Sequence, residues 1–440
     1  MKNKPGHHAA LILLLTPVLL IITAATSSAQ KTNKLEIEYW REVLRTVQRE
    51  LKENYYDPTF NGIDVDARFR VADAKMKNAE SMDDLQDIVA QVLLDLNDTH
   101  TFFVPPDDNS RVGYGWRLKP VGPDSYVGAV RPGSDAWAKG LRPGDKVLSI
   151  DGRPVDRERV WLSNYHYYAL RREPAMTLVI QKPDQTEQQL VIKANVNKRF
   201  GAPIYASPWV MDFKRPEEDR STHHQFYELS NEVMIWKMPH FYLDEYDLRE
   251  KFGKLKKRKA LIVDLRGNTR GFLDTLPHFA GYFFDSNIKL ADRRRRKDLK
   301  PIFAKSKKQN SFKGQLIVLI DGDSAASAEI FARAVQLQKR GVVIGDRSSG
   351  SVMEGKLYQM HVGMMRTIPC VLSATNADII MPDGARLEQV GVTPDKLLLP
   401  TPQEMSVSHD PVLAYAASLA GVELDPKKAG GLFPSRWRTK

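Results

Sequence analysis

Between Tyr126 and Val155 the chain runs through an apolar segment, Y-V-G-A-V, a short helix-forming one, D-A-W-A-K, a glycine turn, G-L-R-P-G-D, and a second apolar segment, K-V-L-S-I, closed by D-G. A strand, a short helix, a turn and another strand in so little chain leave few folds open. They point to a small β-domain whose turns are set by Gly, Pro and Asp. The 440 residues include a single cysteine, Cys370, so an intrachain disulfide is excluded and burial must hold the fold. That length supports two or three domains. The net charge of +11 comes from 65 basic residues interleaved with 54 acidic ones, which speaks against a nucleic-acid partner.

Before the β-type region, Trp40, Val43, Leu44, Val47 and Leu51 fall at helical spacing, and Ser81 with Asp84 forms a capping pattern ahead of Met82, Leu85, Ile88, Val89 and Val92. Residues 31–105 therefore read as a helical domain. Beyond residue 200, apolar runs at Val233–Trp236, Ala260–Leu265, Gln315–Ile320 and Gly341–Ile344 alternate with helical segments, notably Ala325–Gln338. This is α/β alternation, in which chemistry gathers at the carboxyl ends of the strands. The core is placed at 200–400 and a C-terminal helical tail at 401–440, where Asp410–Gly421 reads as a helix available for packing or assembly. The basic run Arg293–Arg296, with the lysines after it, reads as a solvated loop.

At the N-terminus, Lys2 and Lys4 precede the apolar run Ala9–Ala25 and then Ser27-Ser28-Ala29, the order of a cleavable signal peptide over 1–29. The expectation is a periplasmic or secreted protein that meets the membrane only through the uncleaved signal. Oligomeric state is not legible.

The segment 112–195 closely resembles a PDZ domain, carried by G-L-R-P-G-D at Gly140–Asp145. The resemblance implies that the loop Gly113, Tyr114, Gly115 and Trp116 binds peptide through its backbone amides. Four further strings, L-N-D-T-H-T-F-F (96–103), D-L-R-G-N-T-R-G-F (264–272), D-S-A-A-S-A-E-I-F-A (323–332) and L-E-Q-V-G-V-T-P-D (387–395), resemble the tail-specific, or C-terminal processing, serine proteases. The implied fold class is a multidomain α/β (α+β) protein: helical domain, PDZ β-domain and α/β peptidase core. One branch of that family uses a lysine base, but the corresponding position here is Ser351, and Lys356 reads as a surface residue. The resemblance therefore favours the tricorn-core-like branch, with His100 as general base and Glu388 orienting it.

Gly271 is the oxyanion candidate, although Thr269 and Arg270 replace the Pro and first Gly usual in its turn. Asp395 reads as turn chemistry. The nucleophile position, three residues before Glu329, is Ala326. Ser327 follows it, about 100° further round a helix, and Ser324 precedes it as a candidate helix cap. Three explanations stay open: a shifted turn presenting Ser327, a natural loss of activity, or an alanine introduced to trap the enzyme.

The catalytic set is thus His100, Ser327 and Glu388. The implied function is an exported serine endopeptidase acting on PDZ-docked polypeptide, and the alternative is a silenced, peptide-binding relative. The resemblance extends to retinoid-binding modules that share the core fold, but no feature of the chain requires that reading. No cofactor is expected, and no metal, since H-E-x-x-H and cysteine clusters are missing from the sequence.

Overall fold

The computed structural model describes residues 32–106, 110–198, 223–362, 368–435 and 437. The expected signal peptide and its cleavage point at Ala29 lie outside the described residues, as do Asp107 and Asp108 at the boundary ahead of the β-domain.

Helix Lys34–Asn54 buries Trp40, Val43, Leu44, Val47 and Leu51, the stripe that its spacing predicts. Helix Met82–Leu94 starts where the sequence places it. Ser81 Oγ accepts from the Asp84 N–H at 3.1 Å, and the Asp84 carboxylate accepts from the Ser81 N–H at 2.9 Å, which satisfies donors that a helix start leaves orphaned. A third helix, Val65–Met76, capped by Asp64, fills the space between them with Val65, Phe69, Ala72 and Met76. The chain then enters strand Phe102–Val104, which pairs antiparallel with the long strand Ile368–Ile380, Phe102 opposite Ser373. This register ties the helical domain into a core sheet and fixes His100 just ahead of the strand.

The core holds two sheets. One orders Gln225–Glu228, Val233–Lys237, Ala260–Asp264, Gln315–Ile320, Val342–Gly345 and Lys396–Leu397 side by side, parallel after the first antiparallel pair. Its central strands read as unbroken apolar runs because both faces are covered, and Ala260–Asp264 is buried at every residue. Helix Pro411–Leu419 covers one face, laying Val412, Leu413, Ala416 and Ala417 against Ile235, Ile262, Ile317 and Ile344. Of Leu413, Ala416, Ala417 and Leu419, the side chains available for packing or assembly, the first three pack here and Leu419 is exposed. At the carboxyl ends Arg266 bridges Asp264 and Asp410. Burial works against the Asp264 charge, but Arg266 and Lys237 beside it more than offset that and hold its carboxyl low.

The basic run is not a solvated loop. It belongs to an antiparallel hairpin, Ile288–Arg295 with Leu299–Ala304. Arg293 and Arg295 pair with Glu354, Arg294 pairs with Asp378, and Arg296 donates to the carbonyls of Lys52 and Tyr55 at the end of the first helix. Three of the charges are paired within the core sheet and Arg296 ties the hairpin to the helical domain, a long-range use that a local charge pattern does not reveal.

The β-domain is an antiparallel sheet in the order Trp116–Val121, Asp124–Val130, Lys146–Ile150, Ala175–Gln181 and Glu187–Lys193, closed by a ribbon of Ser110–Gly113 with Asn195–Lys198. Arg157 docks it on the core: its buried guanidinium pairs with Asp346 at 2.8 Å and donates to the Ser348 carbonyl at 3.1 Å, while the Gly122 N–H donates to the same Asp346 oxygen. Among the described residues no helix is long and apolar enough to cross a membrane.

Candidate active site

The turn after strand Gln315–Ile320 leads into helix Ser327–Leu337 through Ala326, whose backbone sits at φ 54°, ψ −119°. This is a left-handed conformation that costs an alanine on the order of 1–3 kcal/mol and persists only when its surroundings enforce it. Strand, sharp strained turn, helix is the arrangement that lifts a nucleophile off a sheet end.

Glu329 enforces it. Its buried carboxyl accepts from the Ala326 N–H at 3.1 Å, the Ser351 N–H at 3.0 Å, the Gly350 N–H at 2.7 Å and the Ser348 hydroxyl at 2.5 Å. Burial pushes the Glu329 carboxyl up to about 7 despite those donors. The Ala326 N–H is also held by the Ser351 carbonyl at 2.9 Å.

Ser324 does not cap the helix. Its buried hydroxyl donates to the Leu265 carbonyl at 2.9 Å and accepts from the Asp321 N–H at 3.0 Å, so it fastens the turn to the neighbouring strand end. Ala326 holds the cap position instead, without a side chain able to fill the role. Ser327 is the first helical residue and is buried, whereas Ala326 is half-buried.

The turn 265–272 packs against this elbow: the Ala325 N–H donates to the Asn268 carbonyl at 2.8 Å, and the Gly267 N–H to Asp321 at 2.8 Å. Gly271 has φ 147° and lies beside Phe241, where a Cβ would fall 2.3 Å from the Phe241 Cβ and 2.6 Å from its backbone. Only glycine fits this approach. Among the described residues, the N–H groups of Gly271 and Ser327 donate to no other group. Two such amides beside a helix N-terminus suit a developing oxyanion.

His100 and Glu388 come together through Thr99, 289 residues before Glu388 in the sequence and a residue that the motif reading passed over. The Thr99 hydroxyl donates to Glu388 Oε1 at 2.8 Å, and it lies 3.1 Å from His100 Nδ1 and 2.9 Å from Ser351 Oγ. A hydroxyl has one proton. With that proton directed to Glu388, Thr99 accepts from Nδ1–H, and the imidazole keeps its lone pair at Nε2, the tautomer a general base requires.

Glu388 is held by the N–H groups of Val352 and Met353 at 2.9 and 3.3 Å. Asp98 fixes the loop by accepting from the His100 N–H at 2.8 Å and from Thr375 at 2.7 Å. Ligand atoms of Asp98, His100 and Glu388 lie within 4.8 Å of one another. Both carboxylates are engaged by protein donors. Asp98 and Thr99 stand in the same string as His100, which is the signal that could have found them; Ser351 gave none beyond its place in the lysine position.

A cavity of about 170 Å³ opens beside the site, lined by Thr99, Thr269, Asp323, Ala325, Ser351 and Gln389 among others. In the β-domain, the side chains of Tyr114 and Trp116 are buried in its core, and the Gly115 carbonyl accepts from the Arg131 N–H at 2.7 Å. Asp395 pins the last motif to the sheet by accepting from the Val343 N–H at 2.8 Å.

A strained elbow at a parallel sheet's end, an imidazole oriented by a carboxylate, and two unpaired amides define a serine-peptidase type of core. Residues 233–398 match peptidase family S41, and residues 126–160 match a PDZ domain. The chain belongs to the tail-specific protease family. It is 24% identical over 344 residues to the tail-specific protease of Haemophilus influenzae, covering 74% of this chain and 47% of that one. It is 25% identical over 402 residues to a putative tricorn protease homolog 2 of Streptomyces coelicolor, covering 87% and 32%. The chain thus spans half or less of the length of these curated relatives. Its fold is similar to that of mature CPAF, with a TM-score of 0.63 at 15% identity over 84% of this chain and 94% of that one.

Proposed function

We propose that this chain is an exported polypeptide-binding member of the family whose acyl-transfer chemistry is switched off at the nucleophile. The observation that carries this reading is the strained backbone at Ala326: the residue posed as a nucleophile is an alanine, and Ser327 beside it is buried at the first helical position. The PDZ domain and the cleft at the sheet ends supply the means to hold an extended polypeptide. With a hydroxyl at position 326, His100 would take its proton while the amides of Gly271 and Ser327 held the oxyanion, and the same imidazole would return the proton to the leaving amine. Export rests on the charged, apolar and small-residue order of the first 29 residues.

A second reading, a peptidase using Ser327, is favoured by the intact Thr99, His100 and Glu388 arrangement, which a binding protein has no need to keep. Fluorophosphonate labelling with the modified residue located by mass spectrometry separates the two. Silence in the unaltered chain and labelling at position 326 in Ala326→Ser supports the first reading. Labelling of the unaltered chain at Ser327, abolished in Ser327→Ala, overturns it.

A further inference from the structure

Helices Val65–Met76 and Met82–Leu94 of the helical domain line one wall of a cavity of about 570 Å³, and the PDZ supplies the other wall from strand Arg153–Pro154, helix Val160–Tyr165 and the wider π-type turn His166–Leu170. This is the size at which small ligands are enclosed. Its floor is fixed, because Ala90, Tyr165 and Leu170 share one apolar cluster and the Tyr165 hydroxyl donates to the Phe103 carbonyl. Above the floor, Val71 on the helical wall is 55% exposed and Leu162 on the PDZ wall 37%, so neither side chain is covered by the wall opposite. The gap is apolar on both sides.

The charges around it do not balance. Both carboxylates in its lining are taken: Asp87 pairs with Arg171, and Asp95 accepts from Gln91 at 2.9 Å and pairs with Arg68 at 3.4 Å. Arg159 is matched by Asp156. Lys75 on the helical wall and Arg153 on the PDZ wall remain, and among the described residues neither is paired with a carboxylate. One nitrogen of the Arg153 guanidinium lies 3.2 Å from His166 Nδ1 and 3.0 Å from Nε2, distances so alike that it stands over the ring rather than in its plane. Burial, and then Arg153, push that imidazole down to about 4, so the ring adds no charge at neutral pH. Two cations on opposite walls of an apolar gap repel each other, and an anion between them removes the repulsion.

We infer that this cavity is a binding site for a small amphipathic carboxylate, its aliphatic chain seated between Val71 and Leu162 and its carboxylate between Lys75 and Arg153. A peptide is poorly served here: helices spend their backbone groups internally, and Pro154 has no N–H to give, so the walls offer no ladder to an extended chain. A carboxylate with an aliphatic body needs none. Bound there, it joins the PDZ to the helical domain, whose helix Met82–Leu94 leads to His100. The site is separate from the cleft at Ala326 and does not depend on whether that cleft is active.

The test is isothermal titration calorimetry of the full chain with sodium decanoate below its micellar range, beside decylamine, of like chain and opposite charge, and butyrate, of like charge and short chain. Decanoate is expected to bind at least about tenfold more tightly than either comparison. Arg153→Gln and Leu162→Asp, both at exposed positions, are expected to weaken decanoate by about tenfold or more with the melting temperature of the unliganded protein unchanged, and Arg153→Lys to keep most of the affinity. Should Leu162→Asp fail to fold, Arg153→Gln against Arg153→Lys decides. Absence of decanoate binding, equal binding of decylamine, or an affinity indifferent to Arg153→Gln overturns the site.

Discussion

The two halves of the candidate site are furnished unequally. On the base side, Thr99, His100, Glu388 and Asp98 carry every side chain that orientation and proton transfer require. On the nucleophile side the strained turn, the buried Glu329 beneath it and the unpaired amides are in place, but the side chain on the elbow is a methyl group. The difference teaches that the elbow's geometry does not depend on the group it presents: four donors converging on Glu329 hold the backbone. Removing a nucleophile hydroxyl therefore leaves a shaped, largely intact cleft rather than a collapsed one.

The change that should most alter this asymmetry is Ala326→Ser, expected to raise fluorophosphonate labelling at least about a hundredfold over the unaltered chain. In that background Thr99→Val should lower the labelling rate by about a hundredfold, because the imidazole loses the acceptor that holds its proton on Nδ1. Labelling that survives Thr99→Val undiminished would show that Glu388 orients His100 without it.

The next effect concerns the docking of the PDZ. Arg157→Ala leaves Asp346 buried without its partner, and denaturant unfolding should register a loss of about 3 kcal/mol. A change below about 0.5 kcal/mol would mean that the contact is replaceable by solvent.

Glu329 supplies a pH test of what supports the elbow. Its carboxyl is raised from 4.5 to about 7, so the fold binds its proton more tightly than the unfolded chain does. That contribution is fully present below about pH 4.5 and is lost as pH rises towards 7, an effect on the order of 3 kcal/mol. Glu329→Gln should flatten the stability profile between these values, read by thermal melting across pH. An unchanged slope would assign the dependence to other groups.

The smallest effect expected on stability is from Gly271→Ala, where the added Cβ meets Phe241. A loss of about 2 kcal/mol by melting is predicted, together with loss of the labelling gained in Ala326→Ser.

Legibility in the sequence followed the range of the interaction. The capping box at Ser81, the stripe of the first helix and the apolar strands of the core were readable because each is written within one element. The basic run was misread because the partners that make Arg293, Arg294 and Arg295 part of a hairpin lie on other strands. Ser324 was misread for a similar reason: its hydroxyl reaches the Leu265 carbonyl, outside its own turn.

By itself the sequence determined the order of domains, the periodicity of their elements and the short strings around His100, Gly271, Ala326 and Glu388, since period and turn chemistry act over a few residues. Only the tertiary structure decided that the strained position falls on Ala326 rather than Ser327, that Thr99 joins the imidazole of His100 to the carboxylate of Glu388, and that the basic run enters a hairpin. Those outcomes depend on strand register and domain docking, where many weak contacts summed over distant segments fix geometry that no local pattern specifies.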